Sequence, residues 1–179
     1  MTAEEPAKVI QLLKQSQDEF LASISGLTEQ QWTFKAAPDR WSIGETAEHI
    51  VLAEGALFGG VKKALASPPN PDWEAQTAGK TAFLERVMLD RSHKAQAPEA
   101  IKPQGMTRDQ VIERYKAART KTLQFAETTD LPLNELTAQH PFPVFNTLNA
   151  YQWLIYIPLH NLRHNMQIAE VKTSPGYPK

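Results

Sequence analysis

Apolar residues recur every three to four positions in four stretches of this chain, a period that predicts four long helices. In the first, about Ala7 to Ser25, Val9, Leu12, Leu13, Phe20 and Ile24 share one face, and Gly26 supplies a stop. The second opens on Ser42 with Glu45 three residues on, a reciprocal cap for two orphan backbone donors. It carries Ile43, Ala47, Ile50, Leu57 and Val61 until Pro68 and Pro69 end it. The third opens with the same pattern at Thr107 and Gln110, and carries Val111, Tyr115, Ala118 and Phe125. The fourth, about Thr147 to Val171, is apolar almost all round, so it is predicted to be buried on most sides. Pro158 inside it removes a hydrogen bond to the Leu154 carbonyl. Because the periodicity continues past the proline, a kink is expected there rather than a break. No internal repeat and no convincing run of strands is visible.

The connections set the architecture. About forty residues, Ser67 to Met106, separate the second and third helices. They are rich in proline yet carry Trp73, Phe83, Leu84 and Met88, with a short helix expected over Lys80 to Leu89. A connection of that length can run the full height of a bundle, which lets the two helices it joins lie parallel. Its apolar residues imply that it packs onto the bundle. The expectation is an all-α fold, a four-helix bundle with one long crossover between helices 2 and 3, with residues 1–179 as one domain.

Composition then excludes several classes. A formal net charge of -1 gives no reason to expect a nucleic-acid partner. No run of eighteen apolar residues suggests a membrane span. The acidic start, Met1 to Pro6, lacks a basic-then-apolar secretory pattern, so a cytoplasmic location is expected. There is no cysteine, which removes disulfides, thiolate nucleophiles and sulfur ligands together. Any transition-metal site must therefore use imidazole and oxygen.

His160 and His164 stand four residues apart on the fourth helix, and His49 lies on the second. An i, i+4 pair projects from one helix face as two teeth of a metal clamp. A third histidine from a facing helix would complete three ligands and leave a position open, as in catalytic zinc sites. Both helix faces are mostly apolar, so these imidazoles are expected to point inward, where a polar ring needs a partner. A hydrogen-bonded core histidine satisfies the same requirement, and spacing alone leaves the two readings open. His93 and His140, in proline-flanked loops, are expected to be exposed.

At these residues the chain resembles a known family. The stretch Trp41-Ser42-Ile43-Gly44-Glu45-Thr46-Ala47-Glu48-His49-Ile50 is similar to the second-helix motif of the DinB/YfiT-like superfamily. His160-Asn161-Leu162-Arg163-His164-Asn165-Met166-Gln167-Ile168 resembles its C-terminal H-x-x-R-H-x-x-Q-I motif. Ala97 to Pro103, and His140-Pro141-Phe142 through Trp153, resemble intervening pieces, so the likeness covers most of the chain. The resemblance implies a four-helix bundle with a three-histidine divalent-metal site at His49, His160 and His164, zinc or nickel being the expected metals. It also implies thiol transfer with a low-molecular-weight thiol such as bacillithiol or mycothiol, or metal-dependent hydrolysis. Homodimers are common among similar proteins. Pro158 departs from the small or apolar residue expected before the first C-terminal histidine.

Helpers for such a site can be named from position. Glu45, one turn before His49, is a candidate general base, although it also completes a helix cap. Tyr156, one turn before His160, is a candidate donor to substrate, or a core aromatic. Gln167 could hold a water behind the ligands, and Arg163 is expected to turn away into an interhelical ion pair with a carboxylate. Trp41 and Trp153 fit packing. Lys62, Lys63 and Lys80 are candidate cations for a thiol cofactor, or simply solvated charges. The expected function is thiol transfer or a related substitution on a small electrophile. The alternatives are a metal-dependent hydrolase and a non-catalytic metal-binding or stress-associated bundle.

Overall fold

The computed structural model describes residues 5–92 and 96–179. Its helices are α1 (Glu5–Ile24), α2 (Glu29–Thr33), α3 (Ile43–Leu65), α4 (Trp73–Thr77), α5 (Lys80–Leu89), α6 (Arg108–Thr128) and α7 (Ala150–Lys172). A 3-10 turn, Glu99–Ile101, precedes α6, and two strands, β1 (Thr137–Gln139) and β2 (Thr147–Asn149), precede α7. The four periodic stretches are thus α1, α3, α6 and α7, and the short helix expected in the crossover is α5.

The predicted caps form. Ser42 Oγ accepts from the Glu45 N–H at 3.1 Å while Glu45 Oε2 accepts from the Ser42 N–H at 2.8 Å. Thr107 and Gln110 pair in the same way. A third reciprocal cap, Asn149 with Gln152, starts α7 three residues later than the apolar pattern suggests. The residues before it, Thr147 to Asn149, are β2, antiparallel to β1 with Thr137 opposite Asn149. Strands of three residues are too short to show alternation, so they merged with the helix in the pattern. Farther along α7 the helix does not break at Pro158, which lies inside it.

Side-chain contacts give the helix directions. Along α3 and toward α6, Glu48 meets Met106, Glu54 meets Arg119 and Phe58 packs edge-on against Phe125, so the two run parallel. The crossover makes this possible. Residues Ser16 and Ser23 of α1 accept from Asn165 and Lys172 of α7, again a parallel pair. Between α3 and α7 the order reverses, with His49 beside His160 and Gly60 against Trp153. A Cβ at Gly60 would stand 2.2 Å from the indole, so glycine is what lets these helices close.

The apolar interior falls into two clusters, one around Leu13, Val61, Leu84 and Leu154, the other around Phe20, Ile43, Val111 and Ile168. Along each bundle helix a polar residue lies in sequence between them. Arg119 donates to both carboxylate oxygens of Glu54 at 2.9 and 3.0 Å, to Ser16 Oγ, to the Leu13 carbonyl and to Asn161 Oδ1. Tyr115 also donates to Asn161, whose Nδ2 donates to Asn165. All four bundle helices therefore meet in one buried polar layer. Among the described residues no helix is long and apolar enough to cross a membrane.

Candidate metal centre

The site lies where α3 and α7 cross at the height of that layer. On α7 the i, i+4 spacing sets the His160 and His164 rings one above the other, their centroids 4.5 Å apart. Antiparallel packing brings His49 of α3 against both. His160 Nε2 lies 3.3 Å from His49 Nε2 and 3.3 Å from His164 Nε2. One ligand atom from each of the three falls within 4.8 Å of the others.

The opposite ring nitrogens fix how these rings are protonated. His49 Nδ1 is 2.7 Å from the Ile101 carbonyl oxygen, which can only accept, so Nδ1 carries the proton. His164 Nδ1 donates to Gln167 Oε1 at 2.9 Å. The Nε2 atoms of His49 and His164 are therefore lone pairs turned toward His160. Three imidazole nitrogens converge with room for at most one proton among them, a donor set that fits a cation. Nitrogens bound at about 2.0–2.1 Å to a tetrahedral ion stand about 3.3 Å apart, which matches the two separations here. Burial pushes all three rings below the usual histidine range, His164 to about 3, and mutual repulsion adds to this at His160 and His164. Each is neutral near pH 7, the form that ligates.

The surroundings confirm some expectations and correct others. Gln167 acts directly on one of the three rings, accepting from His164. Trp41 packs on the His49 ring at 4.8 Å. Arg163 turns away, as expected, and its Nη1 donates to the carbonyls of Val87, Met88 and Asp90 at the end of α5. Arg91 holds Glu170 through two bonds of 2.6 Å. The lysines suggested for a thiol cofactor are elsewhere. Lys62 and Lys63 sit in the last turn of α3, more than three turns beyond His49. Lys80 donates to the carbonyls of Phe145 and Thr147. Glu45 is occupied by the cap and by Lys35, 2.7 Å from its Oε1. Tyr156 stands edge-on to His160 with centroids 6.2 Å apart, and burial raises its phenol well above the ordinary range.

His140 is not exposed. Its ring is buried, stacked on Trp153 and Tyr156, and its Nδ1 accepts from the Phe142 N–H at 3.0 Å. The turn between β1 and β2 folds it back onto α7, which a proline-flanked loop gives no hint of. His93 lies outside the described residues. Burial lowers His140 to about 4, below the 6.5 of an unfolded chain. Between those values the unfolded state binds the extra proton, so the stabilising contribution is complete above pH 6.5 and lost as pH falls toward 4. In urea melts at pH 7 and 4.5, His140→Phe, which keeps the stack, is expected to lose less stability than wild type. An equal loss in both proteins would mean that His140 does not titrate in this window.

Two contributors escaped the sequence reading. Ile101 orients His49 through a backbone atom, which no side-chain pattern can signal. Glu48, beside His49, is 2% exposed and binds three backbone N–H groups of the crossover. A charged residue next to an inward histidine was its only trace.

The DinB superfamily model matches residues 12–168, most of the chain. The chain belongs to the DinB superfamily. Among curated proteins, the uncharacterized protein YuaE of Bacillus subtilis (strain 168) is 25% identical over 151 residues, spanning 83% of this chain and 88% of its own. Among solved structures, YfiT from Bacillus subtilis superposes with a TM-score of 0.68 over 99% of this chain and 91% of its own, at 12% identity. That structure is described as a probable metal-dependent hydrolase with an unusual four-helix bundle topology. At this identity the likeness shows the fold. The parallel α3–α6 pair and its crossover agree with the bundle expected from the sequence.

Proposed function

We propose that this DinB-superfamily protein is a divalent-metal-dependent enzyme that activates a small nucleophile, with hydrolysis as its reaction. The observation that carries the reading is the convergence of three histidine Nε2 atoms, two of them held as lone pairs by hydrogen bonds on Nδ1. Zinc and nickel both suit imidazole donors. When bound, such an ion supplies Lewis acidity, which polarises a substrate oxygen and brings the pKa of water or a thiol toward neutrality.

The chain's own residues hold and shield this centre. His49, His160 and His164 are the ligands, and Ile101 and Gln167 orient two of them. Tyr156 stays a neutral hydroxyl, suited to donate a hydrogen bond to substrate and not to act as a base. Glu45 serves the cap of α3. Hydrolysis is preferred to thiol transfer for two reasons. The YfiT neighbour is described as a probable metal-dependent hydrolase. The cations whose charge bears on His160 and His164, Arg163 and Arg91, are engaged with α5 carbonyls and with Glu170, not offered to an anionic thiol.

The test is metal content by plasma mass spectrometry on protein without a polyhistidine tag. Wild type is expected to hold about one ion per chain, as a single three-ligand site requires, and His49→Ala, His160→Ala and His164→Ala each to hold none. Ester and amide substrates, and electrophiles with added bacillithiol or mycothiol, then separate hydrolysis from thiol transfer. No uptake by wild type after incubation with zinc or nickel would sink the reading and leave a bundle whose histidines only pack.

A further inference from the structure

The end of the crossover, residues 98–106, is tied to α3 at two consecutive residues. His49 donates to the Ile101 carbonyl, and Glu48 accepts from Gln104, Gly105 and Met106 at 2.6, 2.9 and 3.0 Å. The N–H groups of Ile101 and Lys102 close the 3-10 turn, and Pro103 has none. The next three donors therefore all go to one carboxylate. That carboxylate is buried, and among the described residues it makes no ion pair. Three charge-assisted hydrogen bonds take the place of its hydration. Gly105 holds a φ of +93°, which a side chain disfavours, so the loop reaches the carboxylate with all three donors at a backbone cost only glycine avoids. Met106 leads directly into the Thr107 cap of α6.

We propose that Glu48 is a positioning residue for the metal centre, holding the crossover so that the Ile101 carbonyl stays on His49 Nδ1. This rests on the metal-centre reading above. The carbonyl decides which nitrogen of His49 carries the proton and therefore which one faces His160 and His164. A histidine with the proton on Nε2 cannot ligate through that atom. Nothing on α3 itself supplies the acceptor. It comes from a segment more than fifty residues away in sequence, held by the neighbouring side chain.

The experiment pairs zinc titration with nitrogen NMR of 15N-histidine-labelled protein, using wild type, Glu48→Gln and Gly105→Ala. The amide of Glu48→Gln turns an N–H₂ group toward backbone donors, which breaks the cradle. Gly105→Ala strains the cradle from the loop side without touching α3. In wild type, His49 of the zinc-free protein is expected to show a protonated Nδ1 and an unprotonated Nε2. Both variants are expected to show a mixture at His49 and to bind zinc about 10–100-fold more weakly, while His164, held by Gln167, keeps its form. Zinc binding by wild type, with affinity and tautomer unchanged in the variants, would overturn the positioning role and leave the metal site standing. A wild type that takes up no zinc overturns both. If Glu48→Gln does not fold, Gly105→Ala decides by the same two readouts.

Discussion

Glu54→Ala is expected to cost about 3–5 kcal/mol of folding stability, the typical effect of stranding one partner of a buried ion pair. Arg119 is fully buried, and Glu54 receives two of its N–H groups. Removing the carboxylate leaves the guanidinium with neutral acceptors only, from Ser16, Leu13 and Asn161. Replacing both charges, as Glu54→Leu with Arg119→Met, is expected to cost less than the two single changes added, because no lone charge remains. Urea denaturation at pH 7 measures Glu54→Ala, the single changes Glu54→Leu and Arg119→Met, and their combination. A loss below about 1 kcal/mol for Glu54→Ala would show that water or another group reaches Arg119. The layer matters to the site because Asn161 and Asn165 alternate with His160 and His164 on α7. Asn161 binds Tyr115 and Arg119, and Asn165 donates to the Ser16 carbonyl. These bonds fix the rotation of α7 about its own axis and so aim both histidines at α3.

Zinc is expected to raise the melting temperature of wild type markedly and that of His164→Ala hardly at all. A ligand that binds only the folded state at a thousand times its Kd adds about 4 kcal/mol. For a chain of this length that moves the midpoint by about 10 °C. The unfolded chain has no counterpart of the site, because His49 lies more than a hundred residues from His160 and His164. In the absence of zinc His164→Ala is expected to melt below wild type, since it loses the bond to Gln167 and leaves the space of a buried ring unfilled, so each protein is compared with its own zinc-free form. Differential scanning calorimetry with and without zinc, in a buffer that does not chelate, gives the comparison. Equal shifts in both proteins would place the zinc at some other set of groups.

Much of the fold was legible because its signals are local. The four helices follow from apolar spacing, the starts of α3 and α6 from Ser42–Glu45 and Thr107–Gln110, and the parallel pair from the length of the crossover. The strands were not legible: three residues cannot display a period of two, and β2 runs straight into an apolar helix. The Asn149–Gln152 cap was hidden for the same reason. Within the site, His160 and His164 could be paired because both lie on one helix. Adding His49 from spacing alone left a core histidine equally open, and motif resemblance supplied the preference. His140 was misplaced because the contacts that bury it, with Trp153 and Tyr156, form only when the β1–β2 turn folds back.

The sequence by itself determined the elements and the chemical inventory: four amphipathic helices, a long crossover, no thiol, and histidines at positions that can share a face. These are properties of neighbours along the chain, read within one or two helical turns. Only the tertiary structure decided which partners those side chains meet. It brought His49 to 3.3 Å from His160, placed the Ile101 carbonyl on His49, turned Lys80 to backbone carbonyls, and buried Glu48 beneath the crossover. Each of these joins groups far apart in sequence, and a hydrogen bond of that kind depends on where two segments are packed, which no local pattern encodes.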